Sequence, residues 1–300
     1  MTATPNPPAF EEAVNAHLES ARGQFNYDQM ALTFLSTDRF RRWARVVDRY
    51  RPVPGSRFLS SGCGLAGSLP AYRDAGAAVA VGVDVDQDYL RIGALRVAAL
   101  GAAGVVAYDG RRLPFRAGAF DLIESIDVIE HTPDPRAYLA ELRRVLAPDG
   151  LILLVTPNRL WPVEQHLQVV GPPWLPVRSA DSLFSALARL PLVGEDRRFR
   201  YRRLRGMRTH NLSLRRLRAL AKQLGLFLRL LRPADHADHW PLPRDGPLLE
   251  RLAHHRVGKF LAPVRTLVLA LTHDRSAAAP GGWRDPARGY VQVRTPGGSR

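Results

Sequence analysis

The sequence predicts an α/β protein built on a parallel sheet that is covered by helices on both faces. Two observations support this fold class. Short apolar segments of strand length alternate with longer segments of helical periodicity between residues 51 and 158, and such alternation is typical of βαβ units. The predicted strands are short and apolar, as expected when both faces of a sheet are buried.

The predicted elements follow one another in a regular order. Residues 1–10 are rich in proline and predict a loose tail, whereas residues 11–50 are compatible with helices that end at Pro52 and Pro54. The following elements are strand 57–61, helix 65–75, strand 78–83, helix 88–100, strand 105–107, strand 121–125, helix 135–146 and strand 151–156.

The second half of the chain has a different character. Residues 157–212 contain many prolines and an arginine cluster, Ser213 predicts an N-cap for a helix over 214–224, and residues 226–231 predict a strand. An apolar stretch at 261–271 predicts a helix, and residues 289–294 predict the last strand. The expected organisation is a tail and helical cap at 1–50, a core at 51–158, an insertion at 159–212, and the remainder of the core with a second insertion at 213–300.

The composition excludes several classes of protein. Hydrophobic residues make up 46% of the chain, which is enough for a core and excludes global disorder. The single cysteine, Cys63, excludes an intrachain disulfide framework and a multi-cysteine metal site. No segment reaches the roughly 18 apolar residues of a spanning helix, and the first residues lack a secretory pattern. We therefore expect a soluble, cytoplasmic protein.

The net charge of +15 is concentrated in the second half of the chain. Seven arginines occur between Arg197 and Arg208, interleaved with Phe199 and Tyr201. Three interpretations are compatible with this cluster: a solvated arginine face, contact with an anionic membrane, which the apolar stretch Phe260–Leu271 would support, and RNA binding. Nucleic acid is the less favoured partner because no recognisable RNA-binding module accompanies the cluster.

A glycine-rich turn follows the first predicted strand. Residues 58–67 read Phe-Leu-Ser-Ser-Gly-Cys-Gly-Leu-Ala-Gly, and glycines at Gly62, Gly64 and Gly67 allow a tight turn and a close approach to a ligand. Asp84 ends the second strand, where an acid can accept both hydroxyls of a ribose. The pair fits either a dinucleotide or S-adenosylmethionine.

Three further segments distinguish these two ligands. Ala-Tyr-Asp-Gly at 107–110, Phe-Asp-Leu-Ile and Asp-Val-Ile-Glu-His within 120–131, and Leu-Arg-Arg-Val-Leu with Pro-Asp-Gly within 142–150 follow in order. With these segments the chain resembles the class I S-adenosylmethionine-dependent methyltransferases, in the small-molecule branch that includes ubiquinone- and menaquinone-biosynthesis enzymes. The resemblance is good over residues 55–158, and it covers 211–231 and 287–294 in outline.

The resemblance implies a Rossmann-like, doubly wound, mostly parallel seven-stranded sheet. N-terminal helices would precede it, and helical or proline-rich insertions would follow strand 5 and precede the last strand. The segment at 51–158 would then be the S-adenosylmethionine-binding core, and the insertion at 159–212 would be an acceptor lid.

The resemblance also implies S-adenosylmethionine as the cofactor and a role for each matched residue. The glycine loop would pass under its methionine part, Asp84 would hold the ribose, and Val85 would lie against the adenine. Asp109 and Gly110 would bond the adenine ring, and Ile126 would line the sulfonium. The implied cofactor residues are Ser60, Gly62, Gly64, Gly67, Asp84, Val85, Asp109, Gly110 and Ile126.

Ser60 departs from the family pattern. The family usually has Asp or Glu two residues before the first glycine, directed toward the methionine end of the cofactor, whereas Ser60 carries no charge. The departure leaves open weaker cofactor binding, a rearranged contact, or a non-catalytic adenosyl-binding or scaffold protein.

Two histidines are the predicted catalytic residues. Methyl transfer to a hydroxyl is helped by a general base, and His131 lies close to where the methyl should emerge. His166 lies in the segment that often closes over the acceptor in this branch, and His210 is a third choice. Two alternatives for His131 are a packing role and, with Asp127 and Glu130, the recruitment of a divalent metal, although no metal site is predicted.

Two features of the sequence predict the class of acceptor: a segment that is missing after strand four, and the apolar residues of the expected lid. An Asn/Asp-Pro-Pro-Tyr segment is missing after strand four, which disfavours exocyclic amines, and the apolar residues of 158–176 favour a lipophilic or aromatic acceptor. The favoured function is O-methylation of a phenolic, quinone-like, lipid-linked or secondary-metabolite hydroxyl, with peripheral contact to the inner membrane face through Arg197–Arg208 and Phe260–Leu271. The alternatives are an RNA methyltransferase and a non-catalytic binding protein.

Overall fold

A computed structural model describes residues 4–19, 27–164, 166–205, 210–231 and 265–274 of the chain. Nine strands lie within these ranges: β1 Arg57–Ser61, β2 Val79–Asp84, β3 Ala103–Ala107, β4 Phe120–Ile126, β5 Leu146–Pro157, β6 Val163–Glu164, β7 Val169–Val170, β8 Phe227–Leu230 and β9 Thr266–Thr272. Strands β6 and β7 form a separate small hairpin, and the other seven form one sheet.

The seven-stranded sheet has the order β3-β2-β1-β4-β5-β9-β8. The five strands from β1 to β5 are parallel, whereas β9 runs antiparallel to both of its neighbours, β5 and β8. The strand order reverses between β1 and β4, and the crevice at such a point is where ligands bind in open α/β sheets. The predicted mostly parallel, doubly wound, seven-stranded sheet is confirmed.

Nine α-helices lie within the described residues. They are α1 Pro8–Glu19, α2 Tyr27–Leu35, α3 Asp38–Asp48, α4 Ser68–Asp74, α5 Gln87–Val97, α6 Pro135–Val145, α7 Val177–Leu187, α8 Glu195–Leu204 and α9 Leu214–Gln223. The predicted cap is present, because the Ser213 hydroxyl accepts from the Arg216 amide at the start of α9.

Alternate residues of each central strand supply two separate apolar layers. On one face, Phe58 of β1 stacks on Tyr72 of α4, with ring centroids 3.5 Å apart. On the other face, Leu59 of β1 packs in a layer that includes Leu139 of α6 and Leu217 of α9. Both layers are buried, so the hydrophobic effect holds helices against each face and leaves the strand ends for ligands.

The largest difference from the sequence prediction is the last strand. The predicted helix at 261–271 is wrong for its described part, because Thr266–Thr272 forms β9 between β5 and the edge strand β8. All seven residues of β9 are buried, and a run buried on both faces shows neither strand nor helix periodicity. Residues 289–294, which were predicted to form the last strand, lie outside the described residues.

The same finding corrects the predicted membrane contact. Residues Thr266–Leu271 of the apolar stretch Phe260–Leu271 are covered by β5 and β8 and by both apolar layers, so they cannot contact a lipid surface. The preceding residues, 260–264, lie outside the described ranges. No helix in the described part of the chain combines the length and apolar character that a membrane crossing requires.

The predicted boundaries near the N-terminus also change. Helix α1 begins at Pro8, inside the predicted loose tail, and Phe10 is fully buried. The helix expected from residue 65 begins only at Ser68, because Leu65–Gly67 complete the glycine-rich turn. Helix α5 ends at Val97 rather than at residue 100.

A buried arginine joins the N-terminal helices to the sheet domain. Arg96 on α5 is 2% exposed, and its guanidinium donates to the side-chain oxygen of Asn6 and to the carbonyls of Phe34, Leu35 and Leu65. It also lies 4.1 Å from the ring centroid of Phe10. Burial lowers the pKa of Arg96 to about 10, which leaves it charged at neutral pH.

We predict that Arg96→Leu lowers the free energy of unfolding by about 3 kcal/mol, because it leaves several buried acceptors without donors. Amide hydrogen exchange will rise most in α1 and α2. The matched control is Arg91→Leu on the same helix, whose side chain is 78% exposed and pairs with Asp88, and its effect will stay below about 0.5 kcal/mol. Equal effects of the two substitutions would contradict the role of Arg96.

Candidate active site

The glycine-rich loop begins where β1 ends. Gly62 has φ +74°, and a side chain there would meet Val128 at 2.3 Å. Gly64 has φ +51°, and Gly67 lies so close to Phe40 that a Cβ would come within 2.5 Å of its ring. These three positions therefore need glycine for backbone conformation or for space. The close approach to Val128 also places the residues after β4 against the loop.

Asp84 at the end of β2 is bound to this loop. Its Oδ2 accepts from the Gly64 amide at 2.8 Å, and its Oδ1 accepts from the Asp86 amide at 3.0 Å. Each carboxylate oxygen has two lone pairs, so both can still accept from a ribose hydroxyl. The structure thus brings Asp84 and the loop together, as the sequence predicted.

The residues predicted to contact the adenine lie side by side at the next strand end. A Cβ at Gly110 would be 3.3 Å from Val85, and the Val85 side chain is more than half exposed. The Asp109 Oδ1 accepts from the amides of Arg111 and Arg112, and these hydrogen bonds hold its pKa below the ordinary value. Asp109 therefore shapes this turn through its carboxylate.

Ser60 is buried in β1, and its hydroxyl accepts from the Ser68 hydroxyl at 2.9 Å. Directly across the sheet, the strand register pairs Ser60 with Glu124 of β4. Glu124 is 2% exposed and its Oε2 has no hydrogen-bond partner among the described residues. Burial raises the pKa of Glu124 to about 7, against the opposing charge of Arg39. A buried acid therefore does lie beside Ser60, on the neighbouring strand.

Ile126 ends β4, half-buried against the apolar layer that holds Phe58. Its neighbour Ser125 belongs to a buried chain of hydroxyls in which the Tyr138 hydroxyl lies 2.8 Å from Ser125 Oγ and donates to Ser61 Oγ at 2.9 Å. This chain ties the ends of β1 and β4 together through α6. The sequence reasoning missed it because the three residues are far apart in the chain.

The two predicted catalytic histidines are brought together. The rings of His131 and His166 lie 5.2 Å apart in an edge-to-face arrangement, and each side chain is about one third exposed or less. His131 ends the short 3-10 helix Ile129–His131 directly after β4, whereas His166 follows the first hairpin strand, β6. Two histidines 35 residues apart in the chain therefore meet, and His131 lies three residues after Val128, which packs against Gly62.

A buried glutamate orients His166. One oxygen of the Glu164 carboxylate lies 2.8 Å from His166 Nδ1, and the other accepts from the Leu167 amide at 2.6 Å. Burial lowers the pKa of His166, but the carboxylates of Glu164, Asp127 and Glu130 outweigh it, and the net effect raises this pKa to about 9. Glu164 had no role in the sequence analysis, although its position two residues before His166 was a usable signal.

Glu130 lies beneath the two histidines. It is 2% exposed, its Oε2 accepts from the Thr156 hydroxyl at 2.9 Å, and its Oε1 lies 3.8 Å from His131 Nε2. Burial, reinforced by the Asp127 carboxylate, raises the pKa of Glu130. Ligand atoms of Glu130, His131 and His166 all lie within 4.8 Å of one another, so this group has the donor set of a metal site, although none was predicted here.

His210, the third candidate, has a supporting position. Its ring Nε2 lies 3.1 Å from the Pro133 carbonyl, and its amide donates to the Glu130 carbonyl. It therefore packs against the segment that carries His131. In the lid, Trp174 is more than half exposed and its indole donates to the Leu160 carbonyl.

Cys63 in the glycine-rich loop has a packing role. It is buried, and a Cβ at Gly82 would approach its sulfur to 2.7 Å. Burial and the nearby Asp84 raise the pKa of its thiol, so the reactive thiolate is disfavoured.

The residues at this edge fit S-adenosylmethionine. The cofactor has no phosphate, so its site needs carboxylates and backbone groups rather than cations, and the loop, Asp84 and Asp109 supply these. A Cβ at Gly62 or Gly67 would meet Val128 or Phe40, so the loop offers backbone alone at these two positions. The loop would hold the methionine part, and Asp84 would hold the ribose.

Comparison with known proteins agrees with this geometry. A family model described as a methyltransferase domain matches residues 35–230, which is more than half of the chain. The chain therefore belongs to this methyltransferase family, and its fold and motifs place it among the class I enzymes that use S-adenosylmethionine.

Part of the chain is similar to curated demethylmenaquinone and tocopherol methyltransferases. The chain is 34% identical over 121 residues to the demethylmenaquinone methyltransferase of Renibacterium salmoninarum, a match that covers 40% of this chain and 49% of that protein. It is 32% identical over 122 residues to the tocopherol O-methyltransferase of Arabidopsis thaliana, covering 38% and 34%. The chain thus spans about half or less of the length of these relatives.

Solved structures share the fold. An S-adenosylmethionine dependent methyltransferase from Mesorhizobium loti superimposes with a TM-score of 0.51 at 15% identity, covering 79% of this chain and 99% of that one. At this identity the likeness shows the architecture alone.

We predict that Glu124→Gln stabilises the protein more at pH 8 than at pH 5. The pKa of Glu124 is about 7 in the folded state, above the value of 4.5 expected for the unfolded chain. The wild type therefore loses stability as the pH rises from about 4.5 to 7, and this stability does not return above about pH 7. The substitution removes that loss, on the order of 3 kcal/mol.

Urea unfolding at the two pH values measures this difference. Glu141→Gln is the control of opposite sign, because its hydrogen bond to Arg144 lowers the pKa of Glu141 and the substitution removes a stabilising carboxylate. A pH-independent effect of Glu124→Gln would contradict the assignment.

Proposed function

We propose that the protein transfers a methyl group from S-adenosylmethionine to a phenolic or quinol-like hydroxyl of a small molecule. The observation that carries this proposal is the pair His131 and His166 beside the glycine loop, with His166 held by the buried Glu164. A general base helps methyl transfer to a hydroxyl, because the hydroxyl oxygen must lose its proton. The names of the quinone and tocopherol relatives support the same acceptor class.

The cofactor supplies an electrophilic methyl group on a sulfonium. The chain supplies position and proton transfer: the loop and Asp84 fix the donor at the carboxyl edge of the sheet, and the segment of Val128 brings His131 to that edge. Most of the acceleration of a displacement comes from holding two reactants in line. The hairpin β6–β7 then brings His166 to the acceptor side.

The pKa of His166 suits proton transfer from a phenolic acceptor. Its pKa of about 9 lies near the value of about 10 for a phenol such as tyrosine, so a proton passes between them with little free-energy cost. The neutral imidazole accepts the hydroxyl proton through Nε2 while Nδ1 faces Glu164. The carboxylate then stabilises the imidazolium that forms.

The direct test is transfer of labelled methyl from S-adenosylmethionine to catechol, with thiophenol and aniline as matched acceptors. We expect O-methylated catechol as the main product. Labelled methyl in added RNA instead would favour a nucleic-acid methyltransferase, and cofactor binding without turnover of any phenol would favour a binding protein. Either outcome would contradict the proposal.

We predict that Asp84→Ala weakens S-adenosylmethionine binding by at least about 10-fold, because two ribose hydroxyls lose their acceptor. Isothermal titration measures the dissociation constant. The control is Asp88→Ala four residues later, an exposed acid that pairs with Arg91, and it will bind the cofactor as the wild type does. An unchanged affinity of Asp84→Ala for S-adenosylmethionine would contradict the assignment of Asp84 to the ribose.

We predict that His131→Ala and His166→Ala reduce turnover far more than cofactor affinity. In the wild type the rate will rise with pH through about 9, because only about one molecule in a hundred has neutral His166 at pH 7. Glu164→Gln removes the main raising charge, so the pH–rate curve will move about 1–2 units toward acid.

Two controls separate base catalysis from other roles. A merely structural Glu164 would lower the rate without moving the curve. Loss of activity in EDTA with recovery in Mg²⁺ would assign Glu130, His131 and His166 to a metal instead of a base. Full activity of both histidine variants would refute the catalytic assignment.

A further inference from the structure

Helix α8 carries most of the arginine cluster, and its two faces have different surroundings. Leu204 is buried and Tyr201 is half-buried in a small apolar cluster with Phe184 of α7. The cluster also contains Leu167, the residue after His166. Helix α8 is therefore anchored by one face to the hairpin that carries the proposed base.

The other face of α8 lines an open cavity of about 600 Å³. Among the described residues its lining is Glu195, Arg198, Phe199, Arg202 and Arg203. These positions repeat at intervals of three and four residues, so they form one stripe along the helix. The volume lies within the range of small-molecule sites.

The cations of this cavity are poorly neutralised. Neither Arg202 nor Arg203 has a carboxylate partner within the described residues, and the pair between Arg200 and Asp196 is outside the lining. The Arg203 guanidinium lies over the Phe199 ring at 5.4 Å, and Arg198 donates to the carbonyls of Leu190 and Pro191. The lining holds three guanidinium groups and one carboxylate, that of Glu195, so its net charge is positive and attracts anions.

One arginine of the lining lies near the glycine loop. The charge of Arg203 acts on Tyr89 of α5 and opposes the rise that burial gives to the pKa of that phenol. Tyr89 lies against the loop, because a Cβ at Gly64 would be 3.9 Å from its ring. Helix α8 therefore lies near both Tyr89, which contacts the loop, and the hairpin of His166.

From this arrangement we propose that Arg202 and Arg203, with Phe199, bind an anionic group on an aromatic acceptor, a carboxylate or a phosphate, and so determine acceptor specificity. The aromatic ring would pack on Phe199 and the anion would pair with the guanidinium groups. The inference rests on the proposed function and adds the charge of the acceptor. It gives the cationic half of the chain a role in substrate selection.

The test compares two acceptors of the same shape, 3,4-dihydroxybenzoate and 3,4-dihydroxybenzamide. The wild type will methylate the acid with a kcat/KM at least about 10-fold above that of the amide, since one charge-assisted pair is worth that much. In Arg202→Gln/Arg203→Gln the acid-to-amide ratio will fall at least about 10-fold, mainly through the KM of the acid.

The matched control is Arg197→Gln/Arg205→Gln, which removes the same charge from the same helix region outside the cavity lining. It will keep the wild-type ratio. Equal ratios for acid and amide in the wild type, or an equal fall in both double variants, would overturn the proposal.

A second measurement keeps failure of this proposal distinct from failure of the methyltransferase assignment. If the wild type methylates neither compound, the anion site is tested by titrating the acid in the presence of S-adenosylhomocysteine. A loss of affinity of at least about 10-fold in Arg202→Gln/Arg203→Gln alone supports the anion site. No such loss overturns it. Sedimentation with phosphatidylglycerol vesicles tests a lipid headgroup as the source of the anion. The proposal would also be overturned if vesicle binding required Arg202 and Arg203 but the acid-to-amide ratio were the same with and without them.

Discussion

The hydrogen bond from the Gly64 amide to the Asp84 carboxylate is the contact on which the site depends. It joins the end of β2 to the loop after β1, and the Val83 carbonyl strengthens the junction by accepting from the amides of Gly62 and Cys63. With the loop fixed, α4 starts at Ser68 and Val128 packs over Gly62. In the proposed site the same carboxylate would also hold the ribose, so one group would serve both the fold and cofactor recognition.

The two halves of the chain divide the chemistry by charge. The first half is close to neutral and presents carboxylates and backbone amides, which suit a cofactor without phosphate. The second half contributes His166, its partner Glu164 and the arginine stripe of α8, the groups that we propose to act on the acceptor. The excess of arginine is compatible in composition alone with a solvated surface, a membrane or RNA. In the structure, three of these arginines, Arg198, Arg202 and Arg203, line a cavity on α8.

Sequence patterns predict those parts of the site whose residues lie close together in the chain. The glycine loop and Asp84 follow from strand ends and short spacings, and the histidines follow from the family pattern. The pairing of Ser60 with Glu124 depends on strand register, and the cavity of α8 depends on how the lid folds back, so neither could be predicted from spacing. Strand β9 was taken for a helix because residues buried on both faces of a sheet carry no periodic signal, and only its partners β5 and β8 define it.

The central claim is that the loop, Asp84 and the two histidines form one methyl-transfer site. A crystal structure with S-adenosylhomocysteine tests it most directly. The account predicts the ribose hydroxyls within hydrogen-bond distance of the Asp84 carboxylate and the sulfur facing the segment from Val128 to His131. An adenosyl group bound away from Asp84, or a sulfur directed away from both histidines, would contradict it.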